Sequence, residues 1–583
     1  MTTVYVNHAA AVDGDGSYGA PYNTWASVVW TAGNTYLMST DGTCREEITI
    51  GADDVEIGAY GDGEMAVVDG SIPFVPVWSA AANGEFTCTP PANSFGDATD
   101  IGMLLWEGQP INKRGSVGSL TPGEWQLSAG TVYYRPVTVR DLPRQLEACY
   151  QDSAIRQTAA AVRSNVRINN VLIQKTHIAI FSANDGGTEE ARNWEITDVR
   201  TRWTSRSAIH LIRGYGLKVS GGRFEKYGST CLNFGLVGGT EFNNVRLRNI
   251  EVDDGIPWIT DTNLEGHAID MVEGCSGFSL RNSRIRNHGA NYPGTLFQLV
   301  SGSTYRPDAT VSVDGVEDVD ISGNEFFNNA LAPVQCGDFI DGSVVQGKQQ
   351  RISGNVFLSN LRKFDRVDSA NATLFACVQV MGATYEAVTI HNNTFLCNGN
   401  GLRLTGESQR PCVVYAVGTA AGAALDVSVR NNVFGTNDVS TLLTVRNLSA
   451  TGTVIGAKIS NNRYAAQSDP QWSTAGVVTQ RIWVQTSNTS YRVPYTHTFA
   501  AYRTATSADS NSEDAVDLSA LVDAMGALHV SPNAALASLD ADNSLARAGT
   551  YVPGTHLRNG RMRPGYCPIG AYAAVLPGPA RSA

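Results

Sequence analysis

VSVRNNVF, residues 427–434, is the stretch whose reading decides the fold. Its third position is apolar, an asparagine bend follows, and its eighth position is aromatic. The pattern recurs, with an Asn, Asp or Gly bend and usually an apolar or aromatic eighth position, as VRINNVLI (166), WEITDVRT (194), LKVSGGRF (217), VRLRNIEV (245), FSLRNSRI (278), VDISGNEF (319), QRISGNVF (350), VTIHNNTF (388) and AKISNNRY (457), ten copies in all at spacings of 23 to 41 residues. Self-similarity at such a period marks a solenoid, and β-branched residues with asparagine bends mark an all-β one, a β-solenoid. Asparagine suits the bend because it tolerates the left-handed region and its amide can hydrogen-bond to the neighbouring coil. The variable spacing implies loops of different length on one face.

A second pattern lies between these copies. In SAIHLI (207–212), TCLNFG (230–235), HAIDMV (267–272) and TLFQLV (295–300), apolar residues at alternate positions bracket a polar one. If the apolar side chains point inward, His210, Asn233, Asp270 and Gln298 point outward. Stacked as parallel strands about 4.8 Å apart, the four make one exposed polar column, the candidate substrate face.

The chain has 583 residues, 42% of them apolar, with a net charge of −12, which argues against nucleic-acid or membrane-surface partners in the absence of a basic patch. Its ten cysteines have no CxxC spacing and read as reduced core residues. The opening MTTVYVNHAA has neither a basic region nor an apolar core, and the least polar stretch, 413–425, is short and glycine-interrupted. Neither a signal peptide nor a membrane span is therefore expected. Three regions are expected: an N-terminal cap and irregular first coils with a hairpin insertion over 1–160, a regular helix carrying the groove over 161–464, and a C-terminal end region over 465–583, with a helix-like stretch at 509–532.

VYVNHAAAVDGDGSYGAPYNTWASV (4–28), IGAYGDGEMAVVDG (57–70), the I-x-N-N-x-F coils and RPGYCPIGAY (563–572) together resemble the right-handed parallel β-helix proteins of the pectate-lyase-like class. That class includes polysaccharide lyases, epimerases, glycoside hydrolases and the tailspikes or tail-associated depolymerases of bacteriophages. With no signal peptide expected, the chain resembles the phage group most. The resemblance implies an enzyme that cuts a bacterial capsule, exopolysaccharide or O-antigen chain, a place in a phage tail or outside the cell, contacts with other tail proteins, and a homotrimer. A secreted bacterial polysaccharide lyase and a non-catalytic tail fibre or adhesin are the alternatives.

Asp270 leads the catalytic candidates, because it stands in the column just after the inserted loop GIPWITDTNLEGH (255–267). A carboxylate beside a loop wall can act as acid, base or nucleophile on a glycosidic bond, and Glu273, Asp253 and Asp254 are its candidate partners. The ordinary alternative is that such acids solvate a coil edge. His210, with Asn233 between it and Asp270, is the candidate base of a lyase; a structural histidine is the competing reading. His267 falls at a coil corner, where bonding to backbone is the usual role, and is kept with Gln298 as a candidate substrate contact. Arg200, Arg223, Glu251, Arg284 and Glu325 form a second column that reads foremost as a salt-bridge ladder. Arg284, and Arg286 and His288 near the following loops, are candidates for holding acidic sugars. Trp203, Tyr227, Trp258 and Tyr292 are candidates for stacking on sugar rings or for core packing. The stretches DGDG (13–16), DSNSED (509–514) and DADNS (540–544) offer oxygen ligands that would suit calcium, but none has the glycine and distal glutamate of a calcium loop, so no cofactor is expected.

Overall fold

The computed structural model describes residues 2–516, apart from 92–101, 256–265, 291–308, 337–345, 362–375, 399–411, 448–457, 466–479, 495–510 and several shorter stretches. The chain is a right-handed parallel β-helix whose coils each lay one short strand on each of three sheets. The coil around residue 250 shows the plan. Val245–Arg248 lies on the first sheet, Glu251–Asp253 on the second and Ile269–Met271 on the third. Each pairs in parallel with its counterpart one coil on, Phe278 facing Val245, Arg284 facing Glu251, and Val311 facing Ile269. The first sheet runs from Thr3–Val6 to Lys458–Ser460.

Local chemistry explains why the chain turns where it does. From the strand Glu56–Tyr60 onward the residue after each first-sheet strand has positive φ, 54° at Asn249, 51° at Asn282, 69° at Gly323 and 57° at Asn392, a region that glycine, asparagine and aspartate adopt at the least cost. The next residue turns inward, and from residue 324 onward it is a buried asparagine. Asn324 Nδ2 donates to Leu280 O at 2.9 Å and to Asn355 Oδ1 at 3.0 Å, and Asn355 Oδ1 also accepts from the Asn324 backbone N–H at 2.9 Å. The ladder continues through Asn393, Asn432 and Asn462. A parallel ladder of Asn329, Asn360 and Asn398 lines the next corner. Two residues past the first ladder, Phe326, Phe357, Phe395, Phe434 and Tyr464 stack with centroids 4.7–5.2 Å apart and planes within 12°. These are the eighth positions of the repeat, so one octapeptide supplies the core residue, the bend, the ladder rung and the ring.

The hairpin insertion sits inside a coil. Ala66–Asp69 belongs to the second sheet and Ser153–Gln157 to the third. Between them two small sheets form, one antiparallel and pairing Ser71–Phe74, Leu146–Cys149 and Leu104–Trp106, the other built on the antiparallel hairpin Glu124–Ser128/Thr131–Arg135 with Asn112–Lys113 added in parallel. Their separate small core includes Cys88, Leu104, Trp125 and Val132. At the far end, Glu513–Val516 is a strand that extends the second sheet beside Arg463–Ala465, so the helix expected from 509 is replaced at its start by β structure. Seven described cysteines, including Cys44, Cys88 and Cys231, are buried. Among the described residues no helix is long and apolar enough to cross a membrane.

The ladder gives a direct test. Asn393→Ala removes donors to Ile352 O and Asn432 Oδ1 and leaves two Asn355 N–H groups without their acceptor. Buried unsatisfied groups cost about 1–3 kcal/mol each, so a loss of about 2–4 kcal/mol and a clear drop in melting temperature are expected. A variant that melts with the parent would show that the ladder is not a source of stability.

Candidate functional site

The third sheet carries the candidate column in the register expected for its first three rungs. His210 faces Asn233, and Asn233 faces Asp270. The fourth rung differs. Asp270 faces Ser312 of Ala309–Val313, and Ser312 faces Gln335. TLFQLV therefore does not supply that rung, and Gln298 itself lies outside the described residues, as do Glu273, Trp258 and Tyr292. ATVSV (309–313) carries the same alternation one loop further on, and alternation alone does not distinguish two such stretches in one long coil. In the other direction the column passes through Phe181 to Arg156, with Arg156 over the Phe181 ring at 5.6 Å and Phe181 tilted against His210 at 5.6 Å.

The column is less open than a strand face in isolation would be. His210 is 2% exposed, Ser312 6% and Gln335 4%, whereas Asn233 and Asp270 are half-buried. This corrects the expectation of a uniformly exposed face, and it changes the chemistry. Burial pushes the Asp270 carboxyl above its ordinary value, against the opposing influence of His267 and a hydrogen bond from Ser312. Burial, with Arg206 and His177 nearby, pulls His210 down to about 3, so it is a neutral imidazole at neutral pH. Asn233 Nδ2 donates to His210 Nδ1 at 3.2 Å, which places the imidazole proton on Nε2. Asn233 Oδ1 is left buried with no hydrogen-bond partner. This orphaned acceptor stands one rung from the Asp270 carboxyl, where a ligand hydroxyl or the protonated acid would satisfy it.

Several candidates belong to the scaffold. His288 is 1% exposed and points inward. Its Nε2 donates to Gly266 O at 2.9 Å, and its Nδ1 accepts from the Tyr227 hydroxyl at 2.8 Å. Its backbone N–H donates to Asn329 Oδ1 at 3.1 Å, so it occupies a rung of the second ladder and does not hold a sugar. Gly255, between them, leaves room for the tyrosine, since a Cβ there would stand 2.2 Å from the Tyr227 hydroxyl oxygen. Burial pulls His288 down to about 3, with His267 adding to the effect. His267 is 4% exposed, and its Nδ1 donates to Ala309 O at 2.8 Å, tying the start of the Asp270 strand to the next coil. Trp203 and Tyr227 are buried, which settles them as packing residues.

The arginines are engaged as well. Arg284 lies 3.6 Å from Glu325, and Arg286 binds both Glu251 and, at 3.0 Å, Asp253. The charged column from Arg200 through Arg223, Glu251 and Arg284 to Glu325 has the expected register on the second sheet, with Arg223 3.9 Å from Glu251, while Arg200, beside the like-charged Arg223, pairs with Glu64. Asp254 is at the corner between second and third sheets with φ 53°, 3.9 Å from Lys226, off the column. Ser312, the tyrosine-histidine link and the glycine beneath it escaped sequence reading. The alternation of ATVSV was the one signal present for Ser312; nothing local marked the other two.

Among the described residues no three histidine, cysteine, aspartate or glutamate side chains converge as metal ligands. The DGDG acids instead fasten their own loop, Asp13 Oδ1 accepting from Asn23 N at 2.9 Å and Asp15 Oδ1 from Ser17 N at 3.0 Å.

No family model and no curated protein matches this chain. Among solved structures, XylC in complex with xylose is similar over 81% of this chain and 85% of its own, at 12% identity and a TM-score of 0.48. A glycoside hydrolase is similar over 79% and 96%, at 12% identity and a TM-score of 0.45. The tailspike protein gp49 from Pseudomonas phage LKA1 is similar over 74% of each chain, at 12% identity and a TM-score of 0.27.

The site makes a signed prediction about pH. An acid with a raised folded-state value stabilises the fold while protonated and loses that contribution as pH rises from the ordinary 3.8 through the raised value. Asp270→Asn should therefore match the parent at acid pH and become equal or superior in melting temperature toward neutral pH. His210 and His288 work in the other direction, costing stability as pH falls from 6.5 toward about 3, because the unfolded chain takes up their protons first. Thermal melts across this range check both slopes; an Asp270→Asn variant equally destabilised at every pH would contradict the first.

Proposed function

We propose that the chain is a polysaccharide depolymerase that cleaves a bacterial surface glycan lying along the third sheet, with Asp270 as general acid. The observation that carries this reading is the half-buried Asp270 carboxyl, raised by desolvation, between the orphaned amide oxygen of Asn233 and the hydroxyl of Ser312. A carboxyl whose proton affinity is raised by burial is the kind of group that protonates a leaving glycosidic oxygen. Hydrolysis is favoured over elimination, because an imidazole with its value near 3 has little capacity to remove a sugar C5 proton. In this reading His210 holds Asn233 in place, and Asn233 receives a sugar hydroxyl. The second carboxylate comes from outside the described column, with Glu273 as the candidate, since Asp254 faces Lys226. The choice of a bacterial capsule, exopolysaccharide or O-antigen, a phage-tail or extracellular setting and a homotrimer rest on the resemblance of the sequence motifs. A sedimentation mass near the 62.2 kDa of one chain would contradict the trimer.

A panel of bacterial capsules, exopolysaccharides and O-antigens, read for new reducing ends and for the ultraviolet absorbance of unsaturated uronates, tests the reaction. New reducing ends without unsaturation are expected. Asp270→Asn should lower the rate by about 10²–10⁴, the usual worth of a positioned acid. The parent's rate should fall as pH rises through the Asp270 value, and that limb should vanish in the variant. Unsaturated products abolished by His210→Ala but not by Asp270→Asn would replace hydrolysis with lyase chemistry, and no product from any glycan would leave a binding protein.

A further inference from the structure

Away from the third sheet, the hairpin insertion contains a cavity of about 530 Å³ that coil stacking does not require. That volume is within the range of about 300–1,000 Å³ usual for small-ligand sites. Its floor is the antiparallel pair in which Leu105 faces Glu147, and one rim is the tight turn at Glu107 and Gly108, with φ of 51° and 72°. The opposite wall, residues 140–146, is held by two anchors: Thr138 N donates to Asp141 Oδ2 at 2.8 Å, and the Trp78 indole donates to Pro143 O at 2.8 Å. The cavity is therefore set in a braced frame.

Its lining combines one aromatic face with unspent positive charge. Trp106 packs against the small core around Trp125 and Leu104 yet remains half-exposed where it lines the cavity. Arg140 and Arg144 are exposed, and neither guanidinium has an ion pair or hydrogen-bond partner among the described residues. The floor carboxylate Glu147 is already engaged, paired with Lys175 at 2.5 Å and accepting a hydrogen bond from the Ser71 hydroxyl at 2.9 Å. The lining that remains is two cations, one acid at Glu107 and an indole.

We propose that this cavity is a secondary saccharide-binding site for an acidic glycan segment, with Trp106 as the stacking platform and Arg140 and Arg144 as the carboxylate clamp. A guanidinium fork matches a carboxylate bidentately, and an indole face covers the C–H side of a sugar ring. The site would hold the polymer on the insertion while the third sheet acts on it, and so rests on the proposal that the chain handles a glycan.

The test uses the full chain carrying Asp270→Asn, with a galacturonate trisaccharide and a neutral galactose trisaccharide as probes in titration calorimetry. The uronate is expected to bind at millimolar concentration or better, to bind the parent equally well, and to weaken as salt rises. Arg140→Ala/Arg144→Ala, both at exposed positions, should weaken it by at least about tenfold with unchanged circular dichroism. Trp106→Phe retains a ring and should lose only part of the affinity. No uronate binding, binding indifferent to the arginine pair, or equal binding of the neutral probe would overturn the proposal. The two proposals fail separately. Arginine-dependent uronate binding by a chain that cleaves no glycan keeps the cavity and removes the reaction, whereas cleavage without such binding does the reverse.

Discussion

Register between coils is the constraint on which everything else depends. A parallel β-helix has no local hairpins to fix which residue sits above which, and a slip of one residue would turn every core side chain outward. Here the register is pinned at the corners. Each ladder asparagine binds the coil before it through a backbone carbonyl and the coil after it through the next amide, and both bonds form only when the asparagines stack in line. The phenylalanine stack two residues on enforces the same alignment by shape. Because both are buried, misalignment would leave polar groups unsatisfied as well as rings unpacked.

The candidate site inherits its geometry from that register. His210, Asn233, Asp270 and Ser312 are separated by 23 to 42 residues in sequence, yet come into one line because the corners above and below are fixed. Where the amide ladder gives way, the protein bridges the gap differently. Tyr227 reaches past Gly255 to His288, and His288 binds Gly266, next to the residue that opens the Asp270 strand. The corner that stabilises the coil also positions the start of the site. Burial then sets the chemistry, raising an acid and lowering a histidine within two rungs, so that both groups are pushed toward their uncharged forms.

The insertion follows a different logic. It grows out of a single coil between its second and third strands, folds around its own small core, and does not disturb the register on either side. A solenoid tolerates such additions because each coil contacts only its neighbours. Loops that leave and re-enter one coil are the places where new surface can be added, and the cavity beside Trp106 lies in such an addition.

The sequence by itself determined the solenoid, the asparagine bends, the core positions and three of the four rungs of the polar column, because these follow from short periodic patterns in which each residue's direction is set by its immediate neighbours. It also determined the register of the charged column, since one repeated octapeptide position placed Arg223, Glu251 and Arg284 in line. Only the tertiary structure decided what depends on contacts between coils of unequal length. It chose Ser312 over the stretch containing Gln298, turned His288 into a ladder rung, and covered His210 while leaving Asp270 half-open. Alternation tells which way a side chain points from its strand, but burial and proton affinity are set by what other coils bring over it, and no local pattern contains that information.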